Sequence, residues 1–481
     1  MNQLLTQPAA TMLFGGARPE LIRCETLADI FRDTAARLPD KTAITLIGAD
    51  SSLTYAELDR RSSKVAAALA ARGVKRSDFV GLWFKRSIDL HVAMIGIAKS
   101  GAAFIPFDAD APAERIATSL FDCGSTVLVS HEALASETQK LPVTVLELDS
   151  LLATPANGVI PEGPRSDSFA YAIYTSGSTG KPKGITITHR NITHYLRSGN
   201  VAIGMREDDV IFQGASVAFD LSMEEIWIPY LVGATLKVAP SEVLKDTDRL
   251  PETIVREKIT VLDVVPTMLT MLDRDMDTVR LIITGGEAMT SALVDRWSKP
   301  GRRILNTYGP TETTVVATFA ECVKGEPVTI GAPIPNYTAY VVNERQKLPL
   351  MVDLLKDTSG QRILVFGSTK QAVGLLHQKL KAKGLPVAYI SSDLEQDERE
   401  QVMLDFRNRK LDILVATDVL SRGIDVDGID MVVNYDVPRD AEDYVHRIGR
   451  TGRAGASGVA VSFATGRDSI SLRKIERFTG Q

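Results

Sequence analysis

Short runs rich in β-branched and aromatic residues alternate with segments of helical apolar spacing along nearly the whole chain. That alternation restricts the fold more than any other feature. Thr42–Leu46, Phe79–Trp83, Thr126–Val129, Ala170–Tyr174 and Leu281–Thr284 read as strands, and Tyr55–Arg72 sets Leu58, Val65 and Leu69 on one helical face. Strands that alternate with helices have both sheet faces covered, so the pattern predicts α/β layers with mostly parallel sheets. The series runs from Leu27 to about Pro335 and meets a polar stretch, Asn343-Glu344-Arg345-Gln346-Lys347. A second series follows, with strands Ile363–Phe366, Val387–Ser391, Ile413–Ala416, Met431–Tyr435 and Val459–Phe463. Helical patterns Lys370–Lys383 and Gln396–Arg407 lie between them. Roughly 130 residues suffice for one doubly wound domain.

Composition narrows the class. With 44% hydrophobic and 24% charged residues in 481, the chain can bury sizeable cores. A net charge of -5 gives no overall electrostatic argument for nucleic acid. Cys24, Cys123 and Cys322 follow no zinc, redox or disulfide spacing. The first residues lack a basic segment followed by an apolar one, and the apolar runs are broken by Lys99, Asp108 or glycines. The expectation is a cytoplasmic protein with no membrane span.

The strand Ala170–Tyr174 runs directly into Thr175-Ser176-Gly177-Ser178-Thr179-Gly180-Lys181-Pro182-Lys183-Gly184. Glycines let backbone N–H groups approach a phosphate, hydroxyls add donors, and lysines add charge. A Walker loop is excluded, because only two residues separate Gly177 from Gly180 and Pro182 follows the lysine.

This stretch resembles the phosphate loop of the adenylate-forming enzymes, in particular the adenylation domains of nonribosomal peptide synthetases. Further motifs agree in order: Leu53–Leu58, Gly101–Asp108, Phe219–Ser222, Gly285–Ala288 and Asn306–Thr313. The resemblance covers about residues 25–343. It implies ATP and Mg²⁺ as cofactors and attack of an amino-acid carboxylate on the α-phosphate, giving an aminoacyl-adenylate and pyrophosphate. Thr175, Ser176, Gly177, Ser178, Thr179, Gly180, Lys181 and Lys183 would hold the triphosphate. Tyr308 would stack on adenine, flanked by Gly285 and Asn306, with Thr311 and Glu312 at the α-phosphate and the metal. Asp220 would pair with the substrate α-ammonium. The remaining pocket positions align to Leu221, Glu224, Asp263, Ile283, Gly285, Thr307, Val315 and Val316.

Glu224 and Asp263 decide the substrate class. A buried carboxylate wants a cationic partner, and an aliphatic amine supplies one. The pattern is similar to lysine- or poly-lysine-synthetase-type domains, so lysine, β-lysine or ornithine is expected, with a carrier-protein domain as a partner in trans. The family continues through a β-barrel subdomain to a Thr-Gly-Asp motif and a mobile domain with a catalytic lysine. No Thr-Gly-Asp follows Val342 here. The resemblance therefore implies a core truncated inside its barrel, with turnover impaired and the strand Tyr337–Val342 left as an exposed edge.

From Gln346 the chain resembles the C-terminal RecA-like lobe of DEAD-box RNA helicases. Ile363–Thr369, the trio Asp393, Gln396 and Arg399, Thr417-Asp418 with Arg422-Gly423 and Asp425, and His446–Arg453 carry the likeness. It implies that Arg450 and Arg453 act on a γ-phosphoryl group, that Asp425 binds a nucleotide ribose, and that Arg399, Thr417 and Gly423 contact RNA. The expected organisation is an extension over 1–24, a truncated adenylation core over 25–343, a seam over 344–349 and the helicase-like domain over 350–481. Three readings follow: an adenylating ligase, an RNA-binding lobe with an appended front, or an artificial or mispredicted fusion without a function of its own. Neither a Walker loop nor an Asp-Glu-Ala-Asp string is present to hold a nucleotide against the arginines. Purified protein is thus expected to release no phosphate from ATP on addition of RNA, and robust RNA-dependent release would contradict this.

Overall fold

A computed structural model describes residues 11–155, 163–175, 183–341, 347–358, 360–391, 394–417, 429–438, 444, 447 and 459–463. Two compact units emerge, one built from Phe14–Thr175 and Pro182–Thr338, the other containing the described residues from Ala339 onward together with Thr11–Leu13.

The first unit holds two large sheets. The nine-stranded sheet runs in the order β16 (Ala332–Pro333), β15 (Thr318–Glu321), β14 (Arg303–Tyr308), β13 (Leu281–Thr284), β12 (Val261–Val264), β10 (Val210–Gln213), β11 (Thr235–Val238), β2 (Thr42–Leu46), β3 (Ser52–Thr54). Its centre, from β14 to β2, is parallel, and its edges are antiparallel. The six-stranded sheet runs β7 (Thr144–Glu147), β6 (Val127–Ser130), β4 (Phe79–Trp83), β5 (Ala103–Phe107), β8 (Phe169–Thr175), β9 (Lys183–Thr188). Only its β8–β9 edge is antiparallel. The parallel centres explain why these strands are continuous apolar runs in the sequence: β5, β12 and β13 are buried at every position.

Helices cover the sheets. α1 (Leu27–Arg37) and α2 (Tyr55–Ala71) each start on a capping box, Thr26 with Asp29 and Thr54 with Glu57. α3 (Ile88–Ser100) is apolar all round and buried except at Asp89, and it reaches β2 of one sheet and β4 and β5 of the other. Lys99 is the cation inside it, 2.6 Å from Asp59 and bonded to the Ser62 and Ser63 hydroxyls. α4 (His189–Ile203) and α5 (Leu221–Val232) pack on each other and lead to the site.

The strand expected to stand as an open edge is paired. Thr338–Val341 forms β17, and β1 (Thr11–Phe14) joins it in a two-stranded sheet that the Gly15 N–H continues to the Tyr337 carbonyl at 3.0 Å. Thr11–Phe14, within the stretch read from sequence as an extension, supplies the missing hydrogen-bond partner.

The second unit carries a fully parallel sheet in the order β19 (Val387–Ile390), β20 (Ile413–Ala416), β18 (Ile363–Phe366), β21 (Met431–Asn434), β22 (Val459–Ser462). α6 (Lys347–Asp357), α7 (Lys370–Ala382) and α8 (Gln396–Arg407) accompany it. Lys347, expected within a polar seam, instead opens α6 and is buried, with its ammonium 3.6 Å from Asp436. The apolar face Met351, Val352 and Leu355 draws that segment into the core, which a reading of local polarity does not register.

Among the described residues no helix is long and apolar enough to cross a membrane. The α2–α3 contact offers a direct test of the packing. A Cβ on Gly96 would lie 2.6 Å from the Val65 Cβ and 3.0 Å from the Ser62 carbonyl oxygen, neither of which can swing away. Gly96→Ala is expected to cost about 1–3 kcal/mol and lower the melting midpoint by a few degrees, read by circular dichroism. An unchanged midpoint would show that the two helices are not in this close register.

Candidate functional site

The parallel register of β12, β13 and β14 assembles the site. Asp263 pairs with Ile283, Ile283 with Leu305, and Thr284 with Asn306, so Asp263 and Ile283 share a face. In parallel α/β sheets ligands gather at the carboxyl ends of strands, which here are Gly285 after β13 and Asn306-Thr307-Tyr308 closing β14. A Cβ on Gly285 would meet the Thr307 Oγ1 at 2.6 Å and the Leu221 Cδ1 at 3.7 Å, so these three predicted pocket residues lie together. Thr307 donates to the Thr284 carbonyl at 3.0 Å, the Asn306 amide donates to the Thr329 carbonyl at 2.9 Å, and the Tyr308 ring is 40% exposed.

The segment after β14 turns sharply. Thr311–Thr313 forms a 3₁₀ turn, and Thr314 (φ 67°) and Val315 (φ 68°) are both left-handed. Two β-branched residues there cost on the order of 1–3 kcal/mol each, the kind of strain that persists where a site over-determines its backbone. Gly309 makes the turn possible, since a Cβ on it would lie 2.4 Å from the Val315 carbonyl oxygen. Val315 and Val316 end up buried and Thr311 nearly so, while Glu312 stays accessible, its Oε1 3.6 Å from the Lys183 ammonium. Lys183 opens β9 opposite Thr175, the end of β8. The two ends of the glycine-rich segment are thus held side by side, next to Glu312. Ser176, Gly177, Ser178, Thr179, Gly180 and Lys181 lie outside the described residues.

Four carboxyl groups surround α5. Asp220 precedes its first turn without capping it, and its Oδ2 is buried with no partner among the described residues. Burial pushes the group up to about 6, the Thr311 hydroxyl pulls it down, and the Glu312 charge pushes it up again. Glu224 is fully buried. The Tyr195 hydroxyl of α4 donates to its Oε2, while among the described residues no hydroxyl, amide or cation donates to its Oε1 or to either oxygen of Asp263. The two groups lie within reach of a shared proton. Burial and mutual repulsion raise both, Glu224 to about 7 and Asp263 well above the carboxylate range.

Glu225, next in sequence, serves a different purpose. It accepts from the Gly214 N–H at 2.7 Å, the Ala215 N–H at 3.1 Å and the Gln213 amide at 3.1 Å. Burial raises it to about 7, against the pull of the Gly214 N–H and the Arg86 charge. Glu225 therefore braces the segment that leads to Asp220. Successive helix positions lie about 100° apart, so only Glu224 of the pair turns to Asp263.

Tyr195 and Arg86 carry no sequence signal for these roles, because each meets its carboxylate only through tertiary packing. In the second unit Thr417 is buried after β20, and Arg399 donates to the Gln396 side chain at 2.6 Å. Gly423, Asp425, Arg450 and Arg453 lie outside the described residues. Arg447 is buried, donating to the Asn434 side chain at 3.2 Å and the Asp436 carbonyl at 2.6 Å.

Residues 31–354 match the family model of the AMP-binding enzymes. The chain belongs to that family. A second model, the helicase conserved C-terminal domain, matches residues 346–455. This AMP-binding chain is 46% identical over 348 residues to delta-poly-L-ornithine synthetase of Acinetobacter baumannii, covering 72% of this chain and 26% of that protein. It is 33% identical over 354 residues to tyrocidine synthase 2 of Brevibacillus parabrevis, covering 72% of this chain and 10% of that one. The chain thus spans about a quarter or less of the length of these relatives. Among solved structures it resembles a four-domain nonribosomal peptide synthetase bound to AMP and glycine, with TM-score 0.62, 29% identity, 69% of this chain and 25% of that one. It also resembles the NpsA N-terminal subdomain of Klebsiella oxytoca, with TM-score 0.57, 26% identity, 66% of this chain and 81% of that one. The first unit has the α/β fold of the adenylate-forming core in those structures.

The carboxyl pair makes a stability prediction with a definite sign. Both pKa values are raised on folding, so the favourable contribution is present at low pH and is lost as pH rises through the folded values. Asn at position 263 imitates the protonated acid. Asp263→Asn should match the wild type near pH 4, at about the unfolded aspartate value, and become more stable than it by pH 8, measured as the difference in urea midpoints. A difference that stays flat with pH would contradict the shared-proton pair.

Proposed function

We propose that the first unit binds ATP and an amino acid with a basic side chain, and is built to join them as an aminoacyl-adenylate. The observation that carries this is a set of buried oxygens that no hydroxyl, amide or cation reaches among the described residues: Asp220 Oδ2, Glu224 Oε1 and both oxygens of Asp263. Desolvated carboxylates left this way are costly unless a cation arrives. Asp220 would take the α-ammonium, and Glu224 and Asp263 the terminal amine. Leu221, Ile283, Gly285, Thr307, Val315 and Val316 would line the aliphatic stem. The 46% identity to a protein named delta-poly-L-ornithine synthetase favours ornithine, with lysine and β-lysine in the same class.

The residues present fit a nucleotide. The segment between Thr175 and Lys183 would cradle the triphosphate, and Tyr308, Gly285 and Asn306 would bracket the base. Thr311 and Glu312 offer the hard oxygen donors that Mg²⁺ prefers. Bound Mg²⁺ would neutralise phosphate charge as the substrate carboxylate oxygen bonds to the α-phosphorus and pyrophosphate departs. Lys183, paired with Glu312, would add positive charge near the phosphates. A carrier-protein domain acting in trans would receive the product.

Turnover is expected to be weak. The helicase-like match begins at residue 346, overlapping the end of the adenylation match, and no Thr-Gly-Asp motif follows Val342. On this reading the second unit is a RecA-like lobe joined to a shortened adenylation core, with domain limits near 25–343 and 350–481. Its motif His446–Arg453 supports RNA contact through Arg399, Thr417 and Gly423, with Asp425, Arg450 and Arg453 acting on a nucleotide. A junction inside one domain also fits an artificial or mispredicted fusion.

Isothermal titration at pH 7.5 tests the pocket without requiring turnover. L-ornithine or L-lysine should bind at least about tenfold tighter than L-leucine, since a leucine side chain leaves the buried carboxylates unpaired. Equal affinities would remove the pocket reading. Ornithine-dependent exchange of pyrophosphate into ATP should be weak or undetectable.

A further inference from the structure

The amine pocket proposed above contains a group outside its lining residues. Tyr195 comes from α4, is fully buried, and points its hydroxyl at the Oε2 of Glu224. Its ring is packed closely: a Cβ on Gly199, one turn along the same helix, would lie 3.1 Å from the ring edge. The hydroxyl therefore has a fixed station rather than a choice of partners. Among the described residues no hydroxyl, amide or cation donates to the other three buried oxygens, Glu224 Oε1, Asp263 Oδ1 and Asp263 Oδ2. Each can accept from a side-chain ammonium.

We propose that Tyr195 is a specificity-determining positioning residue, which by donating to one oxygen of Glu224 holds that carboxylate against Asp263, so that both groups face an arriving side-chain ammonium. This rests on the basic-amino-acid reading of the pocket. It goes beyond that reading by assigning the placement of Glu224, and with it the pH dependence of amine binding, to a residue of a neighbouring helix.

Proton linkage gives the role a signature. Empty, Glu224 and Asp263 hold a proton between them, and an arriving ammonium displaces it. Ornithine affinity should therefore rise with pH until the pair is ionised. Of the other titratable groups around α5, Asp220 at its start keeps Oδ2 without a partner among the described residues, and His91 of α3 meets the Tyr230 hydroxyl at 3.1 Å; the rest are engaged elsewhere. Glu225 is tied to backbone amides and faces Arg86, Asp29 pairs with Arg32, Arg37 with Glu207, and Lys237 with Glu257. On α4, His189 accepts from the Leu27 N–H and His194 meets Ser198 and Asn336. A hydroxyl donating to a carboxylate favours its charged form, so removing it makes the pair hold its proton more tightly.

The test is calorimetric titration of the full chain with L-ornithine and L-leucine from pH 6 to 9, for wild type, Tyr195→Phe, Glu224→Gln and the double variant. The wild type should bind ornithine more tightly than leucine and release a proton on binding ornithine, shown by dependence on buffer ionisation enthalpy. In Tyr195→Phe the ornithine curve should move about one unit to higher pH, a loss of about tenfold at pH 7, with leucine unchanged within twofold. In the double variant the tyrosine change should add nothing to Glu224→Gln, because its effect runs through that carboxylate. Wild-type protein that binds ornithine no better than leucine overturns the pocket reading and this role with it. Wild-type preference that survives in Tyr195→Phe with an unmoved pH curve, or a tyrosine effect that adds fully to Glu224→Gln, overturns the role of Tyr195 alone.

Discussion

Desolvation of the carboxyl groups along α5 is the constraint from which the site follows. A twelve-residue helix, Leu221–Val232, carries Glu224 and Glu225 into an interior where neither is exposed to water. Each burial must be offset, and the two are offset differently. Glu225 gathers two backbone N–H groups and a glutamine amide, becoming a brace for the segment before Asp220. Glu224 receives one tyrosine hydroxyl and then faces a second carboxyl group, Asp263, which has no donor of its own. An unsatisfied buried polar atom costs on the order of 1–3 kcal/mol, a penalty that, on the proposed reading, a cation would relieve. Such an arrangement would discriminate, because an apolar side chain would leave the penalty in place.

The sheet supplies the precision this demands. Asp263 and Ile283 occupy one face because β12 and β13 run parallel in register, and Gly285 lets Thr307 and Leu221 close over the strand ends. The left-handed pair Thr314 and Val315 then folds the chain back, setting Thr311 beside Asp220 and Glu312 beside Lys183. Recognition of the amine and placement of the phosphate-binding groups are thus two ends of one backbone path.

Much of this was legible in the sequence. The strands Thr42–Leu46, Phe79–Trp83, Leu281–Thr284, Ile363–Phe366 and Ile413–Ala416 were read at the limits they adopt, because apolar β-branched runs bounded by polar residues leave little choice of element. Leu221, Gly285 and Thr307 do meet. What stayed hidden depends on contacts distant along the chain. Tyr195 lies 29 positions from Glu224, and no local pattern links them. The division of labour between Glu224 and Glu225 is set by where Gly214 and Asp263 come to rest. The strand ending near Val342 looked unpaired because its partner, Thr11–Phe14, stands at the opposite end of the sequence. Lys347 looked like linker because its charge is visible and its burial against Asp436 is not.

The central claim is that Glu224 and Asp263 form a seat for a side-chain amine, and a crystal structure of the chain grown with L-ornithine addresses it most directly. The account predicts the terminal nitrogen within about 2.7–3.2 Å of oxygens from both Glu224 and Asp263, with the α-ammonium at Asp220. An ornithine whose terminal amine lies in solvent, with the two carboxyl groups still facing each other across an undisturbed contact, would contradict it.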